Sequence, residues 1–566
     1  VTTRAPLAGA GRVAGAATLI AVLTVLSRLA GFGRTAVFTW TLGPTDLGGA
    51  YVAANAVPNF IFEIVAGGAL ASLVVPVLAG AVAAGDRAAV ARTTSALLTW
   101  TVCLLVPLAV LVALLAGPVV GLVGAGLSPE QQETGARMLR VFAPQLPLYG
   151  VGIVLTGVLQ AHRRFAWPVL APLLSSLTVV GVYLGFTAAE GRFATIAGTS
   201  VPGELLLSAG TTLGVVVLSL SLLAPLSRLG LRIRPGFAFP ADARARVGGL
   251  AVAGACTVTA QQVALIVSLN QVTYGGSGDP VVYQLAQTVY LLPWAVLAVP
   301  LAVAAYPTLA AARATGDEET YRRTLAPAAR GVLLFSALGA AALVGTAVPV
   351  GAFFFTGDAA GVAAGAIVGF APGLVGYGLL AVLTRALYAR GEARAATVAT
   401  VAGWLLVPVA ALLLAAVLPL SQRVLAVAVA NSVGMTLLGV LLVVAVRRTA
   451  GRAALAGLGR AAVAATLAGV PAALAGAAVA AWLAGATDGT PAKPVALGQG
   501  MLSGAVVGAI FLAVALVIDR RDVRPLIDGV LRRLGGAARR GGPARPGGPE
   551  DDGPPERGDG KETVSR

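Results

Sequence analysis

The sequence predicts an all-α polytopic membrane protein of about fourteen transmembrane helices, two pseudo-symmetric six-helix lobes plus two C-terminal helices. Three observations predict it. The 566 residues are 57% hydrophobic and 11% charged, with a mean hydropathy of +0.87. A soluble chain carries about 25% charge, so a water-soluble multidomain enzyme is excluded. Apolar runs of about 20 residues recur from end to end, each long enough to span a bilayer. Finally, residues 76–93 come back without a gap at 307–324.

Taken in order, apolar runs between charged or Gly/Pro-rich breaks place helices over 13–42, 47–83, 93–116, 134–161, 166–187, 205–225, 246–273, 281–310, 324–347, 360–388, 395–418, 422–446, 461–485 and 495–518. The first run is too long for a cleavable signal and carries arginines in its middle. Pro58, Gly67 and Gly68 interrupt the second, and Pro372, Gly373, Gly376 and Gly378 the tenth. Broken helices survive in lipid only where protein or a water-filled cavity covers the freed backbone. The organisation is then an N-terminal segment 1–12, an N-lobe 13–225, a linker 226–245, a C-lobe 246–446, two added helices within 447–518 and a basic tail 519–566. Residues 519–534 suit a juxtamembrane helix on an anionic leaflet, whereas 535–566 are too polar to fold alone.

Charge sets the orientation. Lys and Arg total 40 against 24 Asp and Glu, a net of +16. Alternate loops from the N-terminus collect the arginines: Arg4 and Arg12; Arg87 and Arg92; Arg163 and Arg164; Arg228, Arg232, Arg234, Arg244 and Arg246; Arg313, Arg322 and Arg323; Arg390 and Arg394; Arg447, Arg448, Arg452 and Arg460. The other side has little beyond Arg192, Arg423 and Lys493. The positive-inside rule puts both termini in the cytoplasm of a multi-pass cell-membrane protein. It also accounts for the basic excess without nucleic acid as a partner.

The repeat aligns Pro76 with Pro307, Leu78 with Leu309, Gly85-Asp86 with Gly316-Asp317 and Arg92-Thr93 with Arg323-Thr324, all 231 positions apart. Gly150 and Gly152 are echoed by Gly376 and Gly378 at a spacing of 226. Such an offset spans six helices and keeps both copies in one orientation. Two parallel lobes around a central cavity suit alternating access.

Intramembrane charge marks function by default. Arg28 and Arg34 lie in the first span, and six residues of helix set them about 120° apart around one broad face. Asn55, Asn59 and Glu63 follow at four-residue spacing in the second, forming one polar stripe. One acid cannot neutralise two arginines, so a surplus cation is left for an anion, and guanidinium forks onto phosphate oxygens. An Arg28–Glu63 structural ion pair is the alternative. In the other lobe Gln261, Gln262, Asn270, Gln271, Gln284, Gln287, Thr288 and Tyr290 are neutral. They suit sugar or peptide groups, or they join helices. Cys103 and Cys256 sit inside apolar runs, and the single histidine, His162, lies in a basic loop. The sequence offers no Walker motif, zinc signature or Ser/His/Asp set. Neither catalytic residues, metal nor cofactor are expected. Transport would draw on an ion gradient or on the membrane potential, worth about 2.3 kcal/mol per charge per 100 mV.

The stretch from Ser27-Arg28 through Gly31-Phe32, Arg34, Gly43, Pro58-Asn59, Gly68-Ala69 and Val75-Pro76 resembles the MurJ (MviN) family of lipid II flippases. These belong to the multidrug/oligosaccharidyl-lipid/polysaccharide transporter superfamily. The resemblance implies movement of an undecaprenyl-pyrophosphate-linked peptidoglycan precursor from the inner to the outer leaflet. It also implies a V-shaped cavity, Arg28 and Arg34 gripping the pyrophosphate, and a groove for the lipid tail at the last two helices. Phe62 and Thr288 stand where the family carries further arginines, and Gly49 aligns near an expected aspartate with Asp46 close by. The pattern Pro58-Asn59 followed by Phe62-Glu63 resembles the divergent form familiar from high-GC Gram-positive bacteria. Two alternatives remain: a polysaccharide-lipid flippase or cation-coupled drug exporter of the same fold, and a non-transporting scaffold for cell-wall synthesis or division proteins.

Overall fold

A computed structural model describes residues 8–64, 71–237, 248–486, 491–518, 520 and 524. Its regular secondary structure is all helical, with no strand among these residues. The first half contains α1 (Ala8–Thr41), α2 (Asp46–Phe62), α3 (Ala71–Ala83), α4 (Arg87–Leu114), α5 (Ala116–Val123), α6 (Pro129–Phe142), α7 (Gln145–Ala161), α8 (Ala166–Glu190), α9 (Val201–Leu220) and α10 (Leu223–Ser227). The second contains α11 (Gly248–Val272), α12 (Asp279–Pro293), α13 (Val299–Ala314), α14 (Glu318–Phe354), α15 (Asp358–Phe370), α16 (Gly373–Ala389), α17 (Ala393–Val417) and α18 (Arg423–Ala450). Two further helices close the chain, α19 (Leu458–Gly485) and α20 (Lys493–Ile518). Among the described residues nine helical segments are long and apolar enough to cross a membrane, or eleven when two bent pairs each count as a span. The chain is a multi-pass membrane protein. Helices α1, α2 with α3, and α11 lie over the first, second and seventh spans read from the sequence.

Local chemistry fixes the helix starts. Thr45 caps α2, accepting from the Gly48 N–H at 3.1 Å. Ser128 and Gln131 form a reciprocal capping box ahead of α6. The repeated Gly-Asp dipeptide makes the same turn twice. Gly85 (φ +68°) and Gly316 (φ +73°) both take the left-handed region, and the following Asp86 and Asp317 each cap a helix by accepting from the N–H three residues on, at 2.8 and 2.9 Å.

Irregularities also come in pairs. The α6–α7 and α15–α16 segments bend by 41° and 47°. A π turn begins at Glu63 after α2, and another runs over Trp294–Ala298 between α12 and α13. Of these, the sequence reading named the second and tenth spans. Gly67 and Gly68 lie outside the described residues, so the break there rests on the π turn alone. The bend at Ala143-Pro144 and the second π turn were not anticipated.

Packing differs between the two ends of the bundle. At the end carrying the 42–45 and 273–278 turns, one apolar core joins both halves, uniting Phe38, Leu47, Tyr51 and Phe142 with Val272, Val281, Phe354 and Phe370. At the arginine-rich end the halves have separate cores. One holds Val74, Leu78, Val90 and Leu159; the other holds Leu309, Tyr321, Leu383 and Leu442. Helices α19 and α20 pack on α14 and belong to this second core.

Candidate functional site

Where the halves part, a cavity of about 180 Å³ opens between α2, α11 and α12. Asn55 and Asn59 face it from one side, Gln284 and Gln287 from the other, with Leu265, Leu269, Phe60 and Tyr283 completing the wall. Four amides from two halves of the chain thus share one cavity, although the sequence separates them by more than 200 residues. Gln261 lies one turn before Leu265 on the same face of α11. Gln262 is buried and does not line the cavity. Asn270 joins helices instead, its amide donating to the Leu122 carbonyl at 2.7 Å, and Gln271 donates to Asn270 Oδ1 beside it on the same helix at 3.1 Å. Thr288 turns back on its own helix, donating to the Gln284 carbonyl at 2.7 Å.

The expected polar stripe on α2 divides. Asn55 and Asn59 line the cavity, whereas Glu63 is exposed at the π turn beyond it. No ion pair joins Glu63 to Arg28 or Arg34 among the described residues, so the alternative of a structural Arg28–Glu63 pair is not what holds these helices. The physical reason is reach: the π turn carries Glu63 to the surface of its helix end, and Arg28 is itself exposed. Arg34 is half-buried. It lies within electrostatic range of the hydroxyls of Tyr51, Tyr149 and Tyr183. Two of these form a hydroxyl cluster, Tyr51 lying 2.9 Å from both Tyr183 and Thr211.

Tyr149 is the residue that sequence reasoning missed. Its hydroxyl donates to Asn59 Oδ1 at 3.1 Å, its ring sits 4.4 Å from that of Phe62, and both Arg34 and Glu63 act on it electrostatically. It is therefore bonded to one amide of the cavity and lies within electrostatic range of Arg34. A tyrosine after a proline in an apolar run carries no signal of this. Phe62, where the resemblance implies an arginine, instead packs its ring on that of Tyr149.

The cavity is shut at one end by close backbone contact. A Cβ on Gly49 would lie 2.0 Å from the Ser277 carbonyl oxygen, and one on Gly278 would lie 2.0 Å from that of Pro44. The Gln131 amide bridges both halves, donating to the Asp46 carbonyl at 2.8 Å and the Ser277 carbonyl at 3.1 Å. Trp40 packs on Phe353 and Phe354, and the Lys493 ammonium lies 4.5 Å above the Trp40 ring. Among the described residues no group of His, Cys, Asp and Glu could hold a metal ion.

The family model described as "Lipid II flippase MurJ" matches residues 38–490. Among curated proteins, a probable lipid II flippase MurJ of Synechocystis sp. is 30% identical over 236 residues, 40% of this chain and 43% of that protein. The lipid II flippase MurJ of Thermosipho africanus is 24% identical over 29% of this chain and 34% of its own length. These alignments span less than half the length of the relatives. Among solved structures, a lipid II flippase MurJ in an inward closed conformation superposes with a TM-score of 0.67 at 18% identity, covering 88% of this chain and 99% of that one. An inward-facing multidrug resistance MATE family transporter of the MOP superfamily gives 0.60 at 16% identity, over 76% and 98%. Both likenesses concern the fold.

Proposed function

This chain belongs to the lipid II flippase MurJ family, and on that premise we propose that it moves a lipid-linked peptidoglycan precursor from the inner to the outer leaflet of the cell membrane by alternating access. The observation that carries the reading is the unequal packing of the two ends. One end has a core common to both halves, the other has two separate cores, and the amide-lined cavity lies where they part. A transporter caught closed on one side requires this arrangement. The arginine excess at the parted end supports a cytoplasmic position for that end and, with it, for both termini.

In this reading Arg34, with no ion pair among the described residues and within electrostatic range of three tyrosine hydroxyls, takes the pyrophosphate as the halves move. Arg28, exposed on the same helix, meets it first. The amides Asn55, Asn59, Gln284 and Gln287 suit the sugar and peptide groups. An apolar cavity of about 370 Å³ between α14, α16 and α19, lined by Leu333, Val344, Val375 and Val470, suits the lipid tail. The membrane potential or an ion gradient supplies the energy, and no chemical step is required of the protein.

The test is complementation in cells depleted of their own flippase, with membrane expression of each variant checked. Wild type and Glu63→Gln are expected to rescue, and Arg34→Ala to fail. Rescue by Arg34→Ala would overturn the arginine mechanism, and failure of a well-expressed wild type would favour the polysaccharide-lipid flippase or drug-exporter reading.

A further inference from the structure

At the arginine-rich end of the N-terminal half lies a second polar cavity, of about 260 Å³. Three arginines reach it from three separate segments: Arg87 from the first turn of α4, Arg164 from the turn between α7 and α8, and Arg228 from the end of α10. His162 completes the polar wall, its Nδ1 held 2.8 Å from the Val158 carbonyl, which leaves Nε2 free. Arg164 is anchored by donating to the Pro225 carbonyl at 3.3 Å. The turn that delivers it holds Arg163 at φ +58°, a left-handed conformation that costs a non-glycine residue about 1 kcal/mol. None of Arg87, Arg164 and Arg228 forms an ion pair among the described residues. The Asp86 carboxylate beside them is engaged in capping α4.

The other half of the chain shows what a self-contained version looks like. Glu318 occupies the place of Arg87, directly after the repeated Gly-Asp turn. It pairs with Arg390 at 2.8 Å and Arg313 at 3.3 Å, and Arg390 also donates to the Thr449 carbonyl at 3.0 Å. The corresponding turn there uses Gly391 at φ +79°, where the first half has Arg163. One half of the chain thus carries its own counterion; the other has a third guanidinium in place of the carboxylate and a cavity around the surplus. Orientation in a membrane needs basic residues on one side, but it does not need them to converge.

We propose that this cavity binds a phosphate-bearing anion, the headgroup of an anionic phospholipid. Depth favours lipid over a free phosphate ester. The 28 residues of α4 rise about 42 Å at 1.5 Å each, the thickness of a bilayer with its headgroups, so Arg87 at the first position lies at headgroup level. Beside the cavity, residues 231–237 run extended along α4. The Arg234 N–H donates to Ser95 Oγ at 3.0 Å and the Gly236 N–H to Thr99 Oγ1 at 3.1 Å. This segment presents Ile233 and Phe237 to the surface, 38% and 59% exposed, next to Trp100. These exposed apolar side chains, interleaved with the exposed Arg232 and Arg234 and lying beside the three arginines of the cavity, fit an anionic headgroup with its acyl chains.

The experiment is native mass spectrometry of the purified full chain in detergent, titrated with phosphatidylglycerol, phosphatidylcholine or inorganic phosphate. Phosphatidylglycerol is expected to bind in preference to phosphatidylcholine. Affinity should fall by about tenfold or more in Arg87→Glu, which restores the carboxylate of the other half, and in Arg87→Ala/Arg228→Ala. It should be unchanged in Arg447→Ala/Arg448→Ala, which removes two arginines at the same end of the molecule. Because Arg87 is exposed, Arg87→Glu is expected to keep the elution volume and helix content of wild type. Competition by inorganic phosphate at equal concentration would keep the anion site and overturn its assignment to lipid. Equal affinity in wild type and both Arg87 variants, or an equal loss in the Arg447/Arg448 control, would overturn the site.

Discussion

Gly85-Asp86 and Gly316-Asp317 make the same turn with the same glycine conformation and the same aspartate cap, yet Arg87 follows in one half and Glu318 in the other. The interiors diverge in the same manner. The first half places Arg34 within electrostatic range of three tyrosine hydroxyls, whereas the second stacks Tyr290 on Phe370 at 5.1 Å and Trp294 near Tyr377 at 4.9 Å, a column of rings without a charge. The comparison teaches that the repeat preserves backbone geometry, meaning turns, bends and π turns, and leaves charge free to specialise. In our reading the charged half holds the anionic part of the substrate while the aromatic half supplies a stiff wall against which it moves.

The comparison can be broken most forcefully where the halves meet. Gly278 faces only backbone, with the Pro44 oxygen, carbonyl carbon and Cα all within 2.6 Å of an added Cβ. Gly278→Val should prevent closure of that end, abolish complementation and raise the labelling of an Asn55→Cys reporter from the sealed side. Unchanged labelling would show that the contact is not the seal.

A smaller effect separates the echoed glycines. A Cβ at Gly376 would lie 2.0 Å from the Met435 carbonyl oxygen, which belongs to backbone, while one at Gly150 meets the side chains of Leu105 and Thr101 at 2.3 and 2.5 Å, which can turn aside. Gly376→Ala should therefore lower the Tm more than Gly150→Ala, within the range of about 1–3 kcal/mol for overpacking. Equal shifts would mean that the two lobes are equally plastic.

Weaker still is the ion pair of the second half. Glu318→Ala leaves Arg390 without its carboxylate, but Glu318 is 34% exposed, so the cost should be about 1 kcal/mol or less, read as a small drop in Tm. The cap beneath it gives the smallest effect. The hydroxyl and N–H of Thr320 hold the Asp317 carboxyl below its ordinary pKa. A depressed carboxylate contributes stability above its unfolded pKa and loses it as the pH falls through the folded value. The Tm gap between wild type and Asp317→Ala should accordingly close in acid; a gap that persists there would sink the cap argument.

Much of this was legible because membrane sequences write their spans in hydropathy. The long helices, the Gly-Asp turns and the amides Asn55, Asn59, Gln284 and Gln287 could be found as polar interruptions of apolar runs. What could not be read was convergence. Nothing in the sequence distinguishes Gln261, on the cavity face, from Gln262, buried beside it. The role of Tyr149 depends on a bend at Pro144 that brings α7 against α2, and Pro58, Gly67 and Gly68 mark the second span as interrupted without showing that Glu63 is exposed at a π turn. Arg87, Arg164 and Arg228 were legible as topology signals in three loops, but only the fold shows that they share one cavity.

The central claim is that Arg34 serves an anionic lipid-linked substrate in a cavity between two unequal halves. The most direct measurement is translocation of a fluorescent lipid II analogue in proteoliposomes, comparing wild type, Arg34→Ala and Gln284→Ala at matched reconstitution. The account predicts transport by wild type, near-complete loss with Arg34→Ala and partial loss with Gln284→Ala, since a charge-assisted phosphate contact outweighs one amide. Wild-type rates in Arg34→Ala, with transport intact, would contradict it.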